Sequence, residues 1–190
     1  MRSSYIQNNY GEVFEAIVAA FQPAICVELG VLDGYSSLAI GRGLKRNGAG
    51  RLFSYDLFDL YHYKHGSLEE VRLRVEEAGL VGFVDILKRD AFDVNVDFRT
   101  EKVSLLHVDI SNTGETIKKI MELWDPIIVQ GGLILFEGGT QERDEVEWMI
   151  KYQATPIKPE IESNQIIKDK YVFGTYLKFP GLTVLLKKRD

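Results

Sequence analysis

The stretch Ala24-Ile-Cys-Val-Glu-Leu-Gly-Val-Leu-Asp-Gly-Tyr-Ser-Ser37 constrains this chain more than any other. An apolar run reaches an acidic residue, Glu28, and then Gly30-x-x-x-Gly34, after which helix-forming residues follow. The pattern predicts a buried strand, a turn free of side-chain bulk, and the N-terminus of a helix. Glycines at such a turn let backbone approach a ligand closely, and Gly34 can supply a positive φ. The helix that begins at Tyr35 and Ser36 offers unpaired N–H groups that can hold a carboxylate. Glu28, at the strand end, can orient the turn or meet an ammonium group. An adenosine-containing cofactor suits such a site. A βα turn that binds nothing is the plain alternative.

The glycine spacing narrows the cofactor. A dinucleotide fingerprint reads G-x-G-x-x-G. From Gly30 this chain reads Gly-Val-Leu-Asp-Gly-Tyr, so a pyrophosphate would meet Leu32. No Gly-Lys-Ser/Thr follows, which excludes a P-loop.

Before and after this motif the pattern alternates between strand and helix. Asn9-Tyr-Gly-Glu12 has capping-box form and leads a helix through Phe21, ended by Pro23. Strands are expected at 24–29, 51–57, 84–87, 103–110 and 133–136, the last after a Gly131-Gly132 turn. Helices are expected at 35–45, from the Ser67/Glu70 capping box to Gly79, after an Asn112 cap, and from Thr140 through Ile150. Residues 151–170, with Pro156 and Pro159, have weak periodicity and read as irregular. Tyr171–Phe179 and Leu182–Leu186 flank Pro180-Gly181 as a hairpin. Such alternation argues an α/β fold: a mostly parallel sheet with helices on both faces and a C-terminal antiparallel hairpin. No repeat or linker interrupts it, so 1–190 is expected to form one domain, with 1–22 as an N-terminal helical cap.

Composition excludes several classes. The chain has 190 residues, enough for one sizeable core, with 27% charged and 45% hydrophobic residues. A net charge of −5 gives no general attraction to nucleic acid. One cysteine, Cys26, sits in an apolar run, so no disulfide framework exists within one chain and a buried core thiol is expected. No signal peptide is visible, and no apolar run approaches the roughly 18 residues of a membrane span. A cytoplasmic protein without nucleic-acid or membrane partners is expected, and a homodimer stays open.

Glu28-x-Gly30-x-x-x-Gly34 resembles motif I of class I S-adenosylmethionine-dependent methyltransferases. Leu29-Gly-Val-Leu-Asp-Gly-Tyr-Ser36 is most similar to the catechol O-methyltransferase-like and metal-dependent sugar O-methyltransferase group. The resemblance extends from residue 24 to the terminal hairpin. It implies a Rossmann-like seven-stranded sheet of order 3-2-1-4-5-7-6 and methyl transfer to a hydroxyl of a small molecule, sugar-like or natural-product-like. It also implies that the Gly30–Ser36 turn carries the methionine end of the cofactor. Asp56, at the second strand end, would take the ribose diol, since both carboxylate oxygens accept hydrogen bonds. Asp59 is its near rival. Asp90 and Ala91, after the third strand, would meet adenine, and a loop Asp paired with Arg89 or Arg99 is the alternative.

Asp109 and Glu137 end the fourth and fifth strands, where the methyl group would lie. An Asp after Leu-Leu-His-Val is costly to bury unpaired, so it belongs at a pocket mouth or beside a cation. In the related metal-dependent enzymes these strand ends hold a divalent cation such as Mg²⁺. This chain departs from that pattern at two positions. Gly138 stands where a second Asp or Asn usually follows, and Ser111 stands where some sugar methyltransferases carry a basic Asp. Asn112, Glu142 or Asp144 could complete a hard-oxygen site. A metal site and a metal-free site binding substrate directly are both open.

His62 and His65 lie in a polar-aromatic loop, 60–66, after Asp56, and either could take a proton near neutral pH. A solvated loop is the alternative. His107 reads as a hydrogen-bonded core residue, and Trp124 and Trp148 as core or dimer contacts. Tyr5, Asn8, Asn9 and Tyr10 read as a frayed terminus, with a cover over cofactor or substrate as the alternative. Two other classes remain: a Rossmann-type NAD(P)-dependent oxidoreductase, and a cofactor-binding module that does no chemistry.

Overall fold

The computed structural model describes residues 1–189. Seven strands run in the order β3-β2-β1-β4-β5-β7-β6, mostly parallel, with helices around them. The order is the one the resemblance implied. The chain forms two compact units, Met1–Val96 and the part from Asp97 onward.

In the first unit, α1 (Tyr10–Phe21) leads into β1 (Ile25–Leu29), α2 (Tyr35–Asn47), β2 (Arg51–Asp56), α3 (Leu68–Glu77) and β3 (Val84–Lys88). β1 pairs parallel with β2, and β2 with β3. The strands read as near-continuous apolar runs because parallel sheets are covered on both faces. Cys26, Val27 and Leu29 are fully buried, and burial raises the Cys26 thiol pKa above its ordinary value. Ser67 caps α3 as its spacing predicts, accepting from the Glu70 N–H at 3.3 Å.

The N-terminus differs from expectation. Tyr5 and Tyr10 are fully buried, with ring centroids 5.0 Å apart, and Tyr5 meets Phe14 edge-on at 5.1 Å. Aromatic burial on α1, rather than a hydrophilic tail, anchors this segment. Asn9 precedes α1 in a left-handed conformation and makes no capping bond through its side chain.

In the second unit, β4 (Val103–Val108) and β5 (Ile128–Glu137) are parallel, with α4 (Gly114–Trp124) between them in sequence. After β5 come four short helices, α5 (Gln141–Asp144), α6 (Glu147–Lys151), α7 (Ile157–Ser163) and α8 (Gln165–Lys170). Antiparallel strands β6 (Tyr171–Tyr176) and β7 (Leu182–Lys187) close the chain, β7 lying against β5.

Four local expectations are corrected here. Gly131 and Gly132 lie inside β5, where the register against β4 shifts, instead of in a turn before it. Such a shift is where a sheet tolerates glycine. Thr113, not Asn112, caps α4, accepting from the Thr116 N–H at 3.2 Å. The helix expected from Thr140 to Ile150 breaks after Asp144, although Thr140 does cap it. Residues 157–170 are helical: Pro159 falls in the first turn of α7, where proline removes no helical bond, and Asn164 caps α8. Trp124 is fully buried in the core of this unit. Asp125 is buried with Lys170, Lys187 and the Tyr171 hydroxyl around its carboxylate. Burial alone would raise its pKa, but these donors outweigh burial and hold it below the ordinary value.

Candidate functional site

The turn after β1 is held from below by carboxylates. Glu28 is fully buried; one of its oxygens accepts from the hydroxyls of Ser37 on α2 and, at 2.7 Å, Ser54 on β2. Of the two roles open to Glu28, orienting the turn is the one visible. Gly30 has φ 92° and Gly34 φ 86°, both in the region that only glycine occupies without strain. A Cβ on Gly34 would stand 2.9 Å from Val71 on α3. Leu32, between them, also takes a left-handed φ of 51°.

Gly34 caps α2 with no side-chain hydrogen bond, so the first N–H groups of a 13-residue helix have no side-chain acceptor there. Tyr35 opens α2, and its hydroxyl accepts from the Gly11 N–H at 3.0 Å, tying α1 to the motif. Ser36 is buried beside it.

Asp56 does more for this turn than its sequence position suggested. Its Oδ2 accepts from the N–H groups of Val31 (2.7 Å) and Leu32 (3.0 Å), and its Oδ1 from Phe58 (2.8 Å). The expected ribose ligand thus also fixes the backbone of the glycine turn. Asp59 is exposed and pairs with Lys88 at 2.5 Å. Asp90 is exposed and accepts from the Phe92 N–H at 2.9 Å, an Asx turn after β3, while Ala91 is buried behind it.

Sequence reasoning missed one clamp on the turn. Asp33 is buried and receives three bonds from Arg2: backbone N–H at 2.6 Å, Nε at 3.0 Å and Nη2 at 2.7 Å. Those bonds hold the Asp33 carboxyl at about 2, well below the usual carboxylate range. The same Nη2 donates to the carbonyl of His65 at 3.0 Å. A pair separated by 31 residues has no local signal.

His62 and His65 are both exposed on the loop beyond β2. A cleft of about 290 Å³ lies among Asp59, His65, Ser67, Glu69 and Lys88. Gly66 crosses the glycine turn so closely that a Cβ there would fall 1.7 Å from the Leu32 carbonyl oxygen. The histidine loop and the motif are therefore one packed assembly within this unit.

The second unit holds the other expected pair. Val108 pairs with Phe136 across β4 and β5, which brings Asp109, one residue past β4, level with Glu137. Asp109 is half-buried, and His107 is fully buried, as its core reading requires. Glu137 has a partner that the sequence reading did not include. Both its oxygens are taken by Arg143 of α5, Nε to Oε1 at 2.6 Å and Nη2 to Oε2 at 3.0 Å. Both side chains are nearly fully buried. Burial pushes the Glu137 carboxyl up from its usual range, and the guanidinium pulls against it.

A divalent cation does not fit this donor set. Both Glu137 oxygens face a guanidinium, and Gly138 supplies no second ligand. Among the described residues no group of three or more His, Cys, Asp or Glu side chains could hold a metal ion. Gly138 has φ 107°, and a Cβ there would lie 2.7 Å from Ile157 Cδ1 and 3.4 Å from Arg143 Cγ. The positive φ strains any side chain at 138, and Ile157 Cδ1 would have to shift to admit one. Glu142 is exposed, and Asp144 caps α7 by accepting from the N–H groups of Ile157 and Lys158, at 2.7 and 2.9 Å. Asn112 is fully buried and donates to the carbonyls of Val108 and Glu137, both at 2.9 Å.

Comparisons with known proteins bear on the family and the fold. A family model described as "Methyltransferase domain" matches residues 27–137. No curated protein matches the chain. Among solved structures, an O-methyltransferase from Bacillus cereus in complex with SAH is 15% identical, with a TM-score of 0.72 over 98% of this chain and 84% of that one. The O-methyltransferase TomG from Streptomyces achromogenes, involved in tomaymycin synthesis and solved with SAM, is also 15% identical, with a TM-score of 0.69 over 94% and 79%. A Staphylococcus aureus protein assigned as a caffeoyl-CoA O-methyltransferase is 13% identical, with a TM-score of 0.70 over 93% and 82%. At these identities the likeness is one of fold.

Proposed function

Since the chain belongs to the methyltransferase-domain family and has an S-adenosylmethionine-dependent O-methyltransferase fold, we propose that it methylates an oxygen of a small molecule. One observation carries the reading most: the strand–turn–helix at 28–36. Its two glycines at positive φ clear the backbone of side chains, and α2 starts without a side-chain cap. This cradle fits a methionine carboxylate on helix N–H groups.

The roles follow from the placements. Tyr35 and Ser36 open the helix that receives the carboxylate. Gly30 and Gly34 give room, Glu28 and Asp56 hold the turn, and Asp56 also faces the ribose. Asp90 and Ala91 bound the adenine. Bound S-adenosylmethionine supplies a methyl group already activated on a sulfonium. The protein then needs to align the acceptor oxygen and ease its deprotonation. Asp109, at the β4 end, orients the acceptor. The acceptor's proton passes to solvent or to His62 or His65, both of which are exposed.

The test is transfer of label from methyl-labelled S-adenosylmethionine to a panel of phenols, hydroxy acids and sugars. Formation of a labelled methyl ether, absent without protein, is expected. Cofactor binding with no product from any class would overturn the enzymatic reading and leave a binding module.

A further inference from the structure

The site at the end of β5 contains an unspent donor. Arg143 Nη1 is buried and has no hydrogen-bond partner, although Nε and Nη2 each donate to Glu137. Asn112, which donates to the Glu137 carbonyl, has its own buried Oδ1 unpaired. Buried polar atoms are satisfied in the great majority of cases. Trp124 Nε1 in the core is a third such atom, but these two both belong to residues bonded to Glu137, which makes their shared surroundings a candidate ligand site. The Arg143 guanidinium also lies 5.0 Å from the centre of the Trp148 ring. Trp148 in turn walls an open groove of about 420 Å³ with Val146, Glu147, Lys151 and Tyr152. An aromatic wall beside a fixed cation suits a planar, anionic ligand.

We infer that Arg143 takes the place of a divalent cation and binds an acidic hydroxyl, a phenol or enol, in its ionised form. This rests on the reading above that the β4 and β5 ends receive the methyl acceptor. Glu137 fixes the guanidinium by two bonds, leaving Nη1 for the acceptor oxygen, and Asn112 Oδ1 can accept from a neighbouring hydroxyl.

The hydroxyl class follows from magnitude. One charge-assisted hydrogen bond favours the ionised form by about 1–2 pKa units. A phenol, near 10 when unperturbed, comes within reach of neutral pH. An aliphatic hydroxyl, far less acidic than a phenol and closer to bulk water, does not. The acceptor's proton passes to solvent on binding. The oxygen lone pair then forms the C–O bond, and the electron pair of the broken C–S bond returns to sulfur.

The test uses the full chain saturated with S-adenosylhomocysteine; calorimetry of that binding reports separately on the cofactor reading. In the first arm, MnCl₂ is titrated and free Mn²⁺ followed by electron paramagnetic resonance. No saturable binding is expected, and a bound Mn²⁺ displaced by Mg²⁺ would overturn the inference. In the second, p-nitrophenol is titrated at a pH one unit below its own pKa. Growth of the nitrophenolate band is expected, corresponding to a tenfold to hundredfold rise in the ionised-to-neutral ratio of bound ligand. Arg143→Met should abolish this growth and Arg143→Lys keep part of it, with folding checked by circular dichroism. No growth with the wild-type protein, or equal growth with a folded Arg143→Met variant, would overturn the assignment.

Discussion

Asp56 holds the glycine turn and is also the proposed ribose ligand. Its carboxylate ties the N–H groups of Val31 and Leu32, the only residues between Gly30 and Asp33. Removing it releases a turn in which Leu32 already sits at a left-handed φ. Hydrogen bonds to charged groups are each worth about 1.5–3 kcal/mol. Asp56→Ala is therefore expected to weaken S-adenosylhomocysteine binding at least ~10-fold, about 1.4 kcal/mol, in a protein that still folds. Unchanged affinity by calorimetry would remove Asp56 from the cofactor site. The position of this residue at a strand end was readable from sequence. Its bonds to the neighbouring turn were not, because they depend on β1 and β2 being adjacent. The same holds for Arg2 with Asp33, which lie far apart in sequence.

At the scale of elements, the junction of β5 and α5 separates what was legible from what was not. The run Leu133–Phe136 identified the strand, Glu137 its end and Thr140 the cap of the next helix. Nothing in the spacing showed that Arg143, in the first turn of α5, folds back onto Glu137. Yet the glycine at 138 was the visible trace of that arrangement. Its φ of 107° strains any side chain there, and Ile157 Cδ1 would have to shift to admit the acidic residue usual in related metal-dependent enzymes. Gly138→Asp is expected to destabilise the fold by about 1–3 kcal/mol, read from chemical denaturation, without creating a metal site. A variant as stable as the parent would show that the junction is not so constrained. Short helices α7 and α8 escaped notice for a different reason. Each is too brief to display a full amphipathic period, and Pro159 suggested a break where it marks a first turn.

For the whole molecule, alternation argued a mostly parallel sheet, and the order β3-β2-β1-β4-β5-β7-β6 is the one implied by the family resemblance that the motif at 24–37 carries. The first unit carries the glycine turn, Asp56, Asp90 and the histidine loop. The second carries Asp109, Glu137, Arg143 and Trp148. No helix among the described residues is long and apolar enough to cross a membrane. The division matches what sequence could and could not convey. The glycine turn and the strand ends were readable from sequence, whereas the pairings around Glu137 depend on side chains that meet only after folding. Everything above depends on the glycine turn selecting S-adenosylmethionine over a dinucleotide. Isothermal calorimetry of the purified chain against S-adenosylhomocysteine and, in parallel, NADPH measures that choice directly. The account predicts saturable one-to-one binding of the former and no heat with the latter. Binding of NADPH without binding of S-adenosylhomocysteine would contradict it.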